Sequence, residues 1–329
     1  MKKALIVLTS IVLICVMLFT GCGKKETHDI ADYQVKMDYK DGFKIMVISD
    51  VHICALTNMR DQETYLKHIV GEAKPDLIVV NGDSFFDATK KEVTELFEIF
   101  DSFNIKWAYL KGNHDHQGEF SHLYVDGELA KMKNVINVDY NDDLKGEANF
   151  YVDLKNGDDL VYRLFMIDSG SYKRANVMKY TYDEIDDGQL SHVEAIQKAE
   201  TDTEYTTLAF FHIPLNEFAD AYEGYKNGTY KGRGENREDP CPSLYNHDQF
   251  SRLKAAGVRA MFCAHDHINS STIDYKDVIF NYCVKSSEQI YSDEDMIGYT
   301  LVTLNDAPFT MDNIQNIFVN FEDVVQEVK

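Results

Sequence analysis

Seven side chains able to ligate a metal lie just past short apolar runs: Asp50, His52, Asp83, Asn113, His212, His265 and His267. The runs are Val47-Ile48, Val79-Val80, Tyr109-Leu110, Phe210-Phe211 and Met261-Phe262. Two carboxylates, one amide and four imidazoles are hard to borderline donors with no thiolate among them. They suit Mn²⁺, Zn²⁺ or Fe²⁺ rather than Ca²⁺. Seven donors exceed the three or four protein ligands of one zinc-like ion. They suit two divalent ions sharing a carboxylate, roughly 3.5–4 Å apart. Such a pair outweighs the charge of Asp50 and Asp83 and leaves a positive site for a phosphate oxyanion. Read singly, the segments are ordinary: Gly82-Asp83 is a turn signal, and a lone His212 suits a packed rim. Five of them, each at the end of an apolar run, point to one shared site.

The elements that must position these residues follow from periodicity. Leu77 to Val80 is a continuous apolar run, as in a strand buried on both faces, and Phe43 to Ser49 and Lys106 to Leu110 also read as strands. Between them, Asp61 to Ala73 and Thr89 to Phe103 have apolar residues at helical spacing, and Pro75 closes the first. Strand, loop and helix alternate, which predicts an α/β fold with right-handed parallel crossovers. Open α/β sheets place their chemistry at the carboxyl ends of strands, so the five segments can meet on one rim. The second half is richer in β signals. Strands are expected at Asn149 to Leu154, Tyr162 to Ile167, Thr206 to Phe211, Val258 to Cys263, Val278 to Val284, Tyr299 to Leu304 and Ile317 to Phe321. Helices are expected at Gln189 to Lys198 and His247 to Ala256. Asn216 to Ser243, with four glycines, reads as a long loop.

The series D-x-H (Asp50-His52), G-D (Gly82-Asp83), G-N-H-D (Gly112 to Asp115), His212 and His265-x-His267 resembles the calcineurin-like metallophosphoesterases. The resemblance spans about Phe43 to Leu304. His212-Ile213-Pro214-Leu215, Gly234-Glu235, Cys241-Pro242 and Phe262 to His267 look like a branch related to purple acid phosphatases. There are two departures. Ala264 stands where Gly is usual, and Phe86 stands where purple acid phosphatases carry a metal-binding tyrosine. The resemblance implies a four-layer αββα sandwich with mixed sheets. It implies one metal on Asp50, His52, Asp83 and His267, and another on Asp83, Asn113, His212 and His265, with Asp83 bridging. It also implies hydrolysis of phosphate esters, monoesters ahead of diesters, by attack of a metal-bridging hydroxide. His114 would face the substrate and Asp115 would orient His114. His116, Arg233 and Arg237 are further candidates for substrate contact.

Composition bounds the remaining possibilities. The chain has 329 residues and a formal net charge of -22. So acidic a protein is repelled by nucleic-acid phosphates, and no nucleic-acid partner is expected. Met1-Lys2-Lys3 followed by apolar Ala4 to Phe19 reads as a secretory signal, too short for a membrane span of about 20 residues. It ends in Thr20-Gly21-Cys22, which resembles a bacterial lipobox. The expectation is a lipoprotein signal over 1–21, lipid on Cys22, a polar tether over 22–42, the catalytic domain over 43–321 and a tail over 322–329. A two-chain lipid would hold the protein stably to the outer face of the cell membrane. Apart from Cys15 and Cys22, four cysteines remain. Cys263 and Cys283 sit in strand-like runs and read as buried thiols.

Overall fold

Alternate side chains of the run Phe43–Ile48 enter two different cores, which sets the layering of the molecule. Ile45 and Val47 enter one core, and Met46 and Ile48 enter the other. Leu77 and Val79 part from Ile78 and Val80 in the same way, as do Ala108 and Leu110 from Trp107 and Tyr109. A strand covered on both faces must lie inside a sheet with packed layers above and below.

The computed structural model describes residues 28–115, 117, 122–138, 144–200 and 204–328. The strands are β1 (Gln34–Asp38), β2 (Phe43–Ile48), β3 (Leu77–Asn81), β4 (Lys106–Leu110), β5 (Phe150–Asn156), β6 (Asp159–Met166), β7 (Tyr172–Asn176), β8 (Lys179–Tyr182), β9 (Thr206–Phe210), β10 (Lys231–Arg233), β11 (Val258–Cys263), β12 (Thr272–Tyr275), β13 (Val278–Tyr282), β14 (Gly298–Leu304) and β15 (Ile314–Phe318). The helices are α1 (Met59–Ala73), α2 (Lys90–Ser102), α3 (His122–Leu129), α4 (Asp187–Ala199), α5 (Glu217–Lys226), α6 (Gln249–Ala255) and α7 (Phe321–Val328).

One sheet has the order β15-β14-β2-β3-β4, and the other β1-β5-β6-β9-β11-β13-β12-β10. Strands β2, β3 and β4 run parallel, as do β6, β9, β11 and β13. Strands β14, β15, β10 and β12 add antiparallel pairs, so both sheets are mixed. Apolar faces of α1, α2, α3 and α7 cover the first sheet, through Tyr65, Leu66, Ile69, Val93, Phe97, Val125 and Val324. Leu190 and Val193 of α4, Phe218 of α5 and Leu253 of α6 belong to the second sheet's core. The result is the expected four-layer αββα sandwich. Helix boundaries follow local chemistry. Thr89 caps α2 with Glu92 completing a capping box, and Asp186 caps α4 with Gln189.

Four stretches differ from the sequence expectation. Within the expected tether, Ile30–Tyr33 forms a 3-10 turn, and β1 pairs parallel with β5 at the sheet edge. Its half-polar alternation Gln34-Val35-Lys36-Met37-Asp38 suits an edge strand, which local pattern does not tell from a linker. The long loop after His212 contains α5 and β10. Gly224 interrupts the helical pattern because Tyr230 packs where its Cβ would be, 2.2 Å from Tyr230 Cδ2. Strands β7, β8 and β12 were not expected. The expected strand Ile317 to Phe321 lies instead at β15, and the tail is α7, whose Phe321 packs on Tyr65 with ring centroids 4.8 Å apart. Among the described residues, no helix is long and apolar enough to cross a membrane. Cys54, Cys241, Cys263 and Cys283 are free thiols, the last two buried as expected.

Candidate metal centre

The carboxyl ends of β2, β3, β4, β9 and β11 deliver all seven predicted ligands to one buried place between the sheets. Asn81 at the end of β3 locks the two sheets together. Its Nδ2 donates to the Phe211 carbonyl at 3.0 Å, and its own carbonyl accepts from His212 Nδ1 at 2.9 Å. The turns after β2 and β3 bond to each other through backbone: Asp50 N donates to Gly82 O, and His52 N donates to Asp83 O.

Asp50, His52, Asp83 and His265 all have left-handed backbones, with φ of 52°, 51°, 50° and 77°. Such conformations cost roughly 1–3 kcal/mol each for residues other than Gly and persist where surroundings enforce them, most often at functional sites. Four of them among seven neighbouring ligands is the backbone signature of a built site. The two glycines of the motifs serve the same approach. A Cβ on Gly82 would lie 2.5 Å from His212 Nδ1, and φ there is +88°.

The side chains divide into two buried groups. Asp50, His52 and His267 form one; Asp83, His212 and His265 form the other; within each, one donor atom per residue lies within 4.8 Å of the rest. Asp83 links them. Its Oδ2 is 3.6 Å from His52 Nε2 and 3.1 Å from His212 Nε2, while Oδ1 accepts from the His114 backbone N–H at 2.8 Å. Asn113 lies beside the second group, with Nδ2 donating to the Tyr172 hydroxyl at 3.0 Å and Oδ1 buried without a partner.

These residues fit a pair of cations on two independent grounds. First, Asp50 Oδ1, Asn113 Oδ1 and His265 Nδ1 are buried and make no hydrogen bond. Buried polar atoms are otherwise nearly always satisfied. Second, outer partners orient the rings. His212 Nδ1 donates to Asn81 O, and His267 Nδ1 donates to Tyr291 O at 3.0 Å, so each ring turns its Nε2 inward. His267 Nε2 meets His52 Nε2 at 2.9 Å, a contact that requires a cation or a proton between the rings.

Electrostatics point the same way. Burial holds His265 down to about 3 and His267 to about 2, and places His52 well below an ordinary imidazole. Burial also opposes charge on His212, but Asp83 and Asp50 together raise it to about 10. Burial lifts Asp50 to about 6, with the charge of His212 working against it. A proton on His212 thus stands between two carboxylates, where a metal ion would stand, and loading must displace it. Divalent-ion affinity should therefore rise with pH between 6 and 8, by about tenfold per unit for one proton. Calorimetry in two buffers of different ionisation heat should find about one proton released at that nitrogen per chain; affinity independent of pH would contradict it.

Other predicted site residues are placed differently. His114 stands at the rim, its ring 5.4 Å from that of His52 and 5.0 Å from Phe86. Its Nδ1 pairs with Gln117 Oε1 at 2.8 Å rather than with Asp115. Asp115 does not orient His114. Its carboxylate accepts from the backbone N–H groups of Ser84, Phe85 and Gly112 at 2.7, 3.0 and 2.7 Å. It staples the turn after β3 to the turn after β4, because a buried carboxylate seeks the nearest free backbone donors. The Arg233 guanidinium donates to the carbonyls of Met311 and Ile314. Arg237 is held by Glu235, Asp293 and Asp295, so carboxylates of this acidic chain already take its charge. His116 and Cys22 lie outside the described residues.

Sequence reading missed the aromatic walls. Tyr182 stands edge-on to His265 at 4.3 Å, Tyr291 stacks on His267 at 4.1 Å, and Tyr172 reaches Asn113. It also missed Lys285, buried, whose Nζ donates to the Asp50 carbonyl at 2.6 Å. No motif marks any of them, since all come from loops and edge elements far away in the chain.

Comparison with known proteins agrees with this geometry. The calcineurin-like phosphoesterase model matches residues 43–269. Three Arabidopsis thaliana proteins are similar. Probable inactive purple acid phosphatase 29 is 28% identical over 273 residues, 69% of this chain and 67% of that one. Probable inactive purple acid phosphatase 14 is 23% identical and probable inactive purple acid phosphatase 28 is 26% identical, each over 283 residues, 73% of this chain and 69% of theirs. The family match covers well over half the chain and takes in all seven converging ligands, and the chain belongs to the calcineurin-like phosphoesterase family.

Proposed function

We propose that this chain is a two-metal phosphoesterase that hydrolyses phosphate esters, monoesters ahead of diesters. The observation that carries the reading is Asp83 Oδ2, shared between two ligand groups that lack no member. Asp50, His52, Asp83 and His267 would hold one ion, and Asp83, Asn113, His212 and His265 the other. When bound, two such ions supply a water of lowered pKa and positive charge for the phosphoryl oxygens. The chain's own residues do the positioning. His114, with Nδ1 held by Gln117, would turn its ring edge toward a phosphoryl or leaving oxygen of the substrate. Asp115 keeps the two turns in register, and Tyr172, Tyr182 and Tyr291 flank the ligands. The test is turnover of p-nitrophenyl phosphate and its bis-ester by Mn²⁺-, Zn²⁺- or Fe²⁺-loaded protein. No turnover with any of them overturns the reading.

A second reading is a binding module that keeps the sandwich without catalysis, favoured by the names of the Arabidopsis relatives. It predicts metal content near two ions per chain with no turnover of either ester. We further propose that Cys22 carries lipid and holds the protein to the outer face of the membrane. Metabolic labelling with a fatty-acid analogue should mark the wild type and leave Cys22→Ala unmarked and released; equal labelling of both would end that proposal.

A further inference from the structure

A groove of about 610 Å³ opens beside the second ligand group, lined by Tyr172, Tyr180 and Tyr182 of the β7–β8 hairpin and by Pro242 and Leu244 opposite. Two of its tyrosines border the site. Tyr172 hydroxyl accepts from Asn113 Nδ2 and Tyr182 abuts His265. Tyr172 pairs with Tyr182 across the hairpin, and Arg174 pairs with Tyr180, so these four share one face leading outward. The Tyr172 and Tyr182 rings lie 5.3 Å apart, and the Arg174 guanidinium sits over the Tyr180 ring at 5.7 Å.

The walls are fixed to each other. Leu244 N donates to Thr181 Oγ1 at 2.9 Å, and Tyr245 hydroxyl donates to Ala175 O at 3.3 Å. Yet the lining is open: Tyr172 is 41%, Tyr180 63% and Leu244 59% exposed. Scattered apolar residues on a surface mean little, but a contiguous aromatic patch marks a binding site. Charge narrows the ligand further. In a chain of net charge -22, the lining holds Lys179 and no carboxylate. A flat, weakly polar ring attached to an anion matches tyrosine faces, prolines and one cation.

We propose that this groove is the leaving-group subsite, and that it selects phosphate esters whose alcohol carries a flat aromatic ring. The proposal rests on the phosphoesterase reading above, and adds to it the class of substrate. The phosphoryl group lies among the ligands, and the ring lies between the hairpin and the Pro242–Leu244 wall. The bond that breaks is still the one between phosphorus and the ester oxygen.

Two phosphonates that cannot be hydrolysed separate the two claims. Mn²⁺-loaded protein is titrated calorimetrically with methylphosphonate and with phenylphosphonate. The phenyl compound should bind about tenfold more tightly, the value of one well-stacked ring. Tyr180→Ser and Leu244→Ser, both surface changes outside the ligand set, should each bring that ratio toward one. A nucleoside phosphonate in the same series distinguishes sources: tighter binding than phenyl names a nucleobase, and weaker binding names a simple aryl group. Equal affinity for methyl and phenyl in the wild type overturns the groove, as does a ratio that survives both substitutions. If neither phosphonate binds, the phosphoester reading falls, and the groove with it.

Discussion

Asp83→Asn should leave a folded chain that holds at most one metal ion and has lost about a thousandfold in ester turnover. The substitution is nearly isosteric, so the loss is chemical. In the wild type Oδ1 accepts the His114 backbone N–H, and Oδ2 lies between His52 and His212. An amide has only one oxygen. With the oxygen toward His114, the NH₂ group points at two imidazole nitrogens and cannot ligate. With the oxygen inward, NH₂ opposes the His114 N–H, two donors face each other, and the Gly112–Asp115 turn loses its anchor. Metal content by elemental analysis, turnover of p-nitrophenyl phosphate and thermal unfolding together check this. A variant with full metal and full activity would remove Asp83 from the bridging position.

Gly112→Ala should be as damaging by a different route. The added Cβ would lie 2.2 Å from Asp83 Oδ1 and 2.4 Å from Asp83 N, closer than atoms can approach. The nearest atoms include backbone, so no rotamer change relieves the clash. The turns after β3 and β4 must part, and with them go the Gly112 N–H bond to Asp115 and the placement of Asn113. Overpacking of this kind costs about 3 kcal/mol, or roughly 5 °C or more in melting temperature. Metal binding should fall with it, since Asn113 and Asp83 separate. The contrast is Gly127→Ala on α3, where nothing lies within 4 Å of the new Cβ. That variant should keep its metal and its melting point to within a degree or two, helped by the better helix propensity of Ala. A Gly112→Ala protein as stable and as well loaded as Gly127→Ala would show that the two turns need not touch.

The ligands were readable in the linear chain because each follows an apolar run. A strand buried on both faces has little choice of residue type, and where it stops the chain must turn polar. Asp50, Asp83, Asn113, His212 and His265 all announce themselves in that way. Helices α1 and α2 were equally legible, since their apolar stripes face one core. Edge elements were not. Strand β1 and the β7–β8 hairpin carry polar residues on alternate positions, so their pattern resembles that of loops. Helix α5 was hidden by Gly224, a residue present for packing against Tyr230.

The residue types alone determined the donor set and its place at the ends of parallel strands. Only the folded chain decided which oxygen of Asp83 faces both ligand groups, that Asp115 binds backbone instead of His114, and that Arg233 and Arg237 are already committed. The reason lies in distance along the chain. Asn81 and His212 are 131 residues apart, and Asp50 and Lys285 are 235 apart, yet each pair shares a hydrogen bond. A hydrogen bond of that span leaves no trace in local composition, because its donor and acceptor are chosen by how two sheets close on each other.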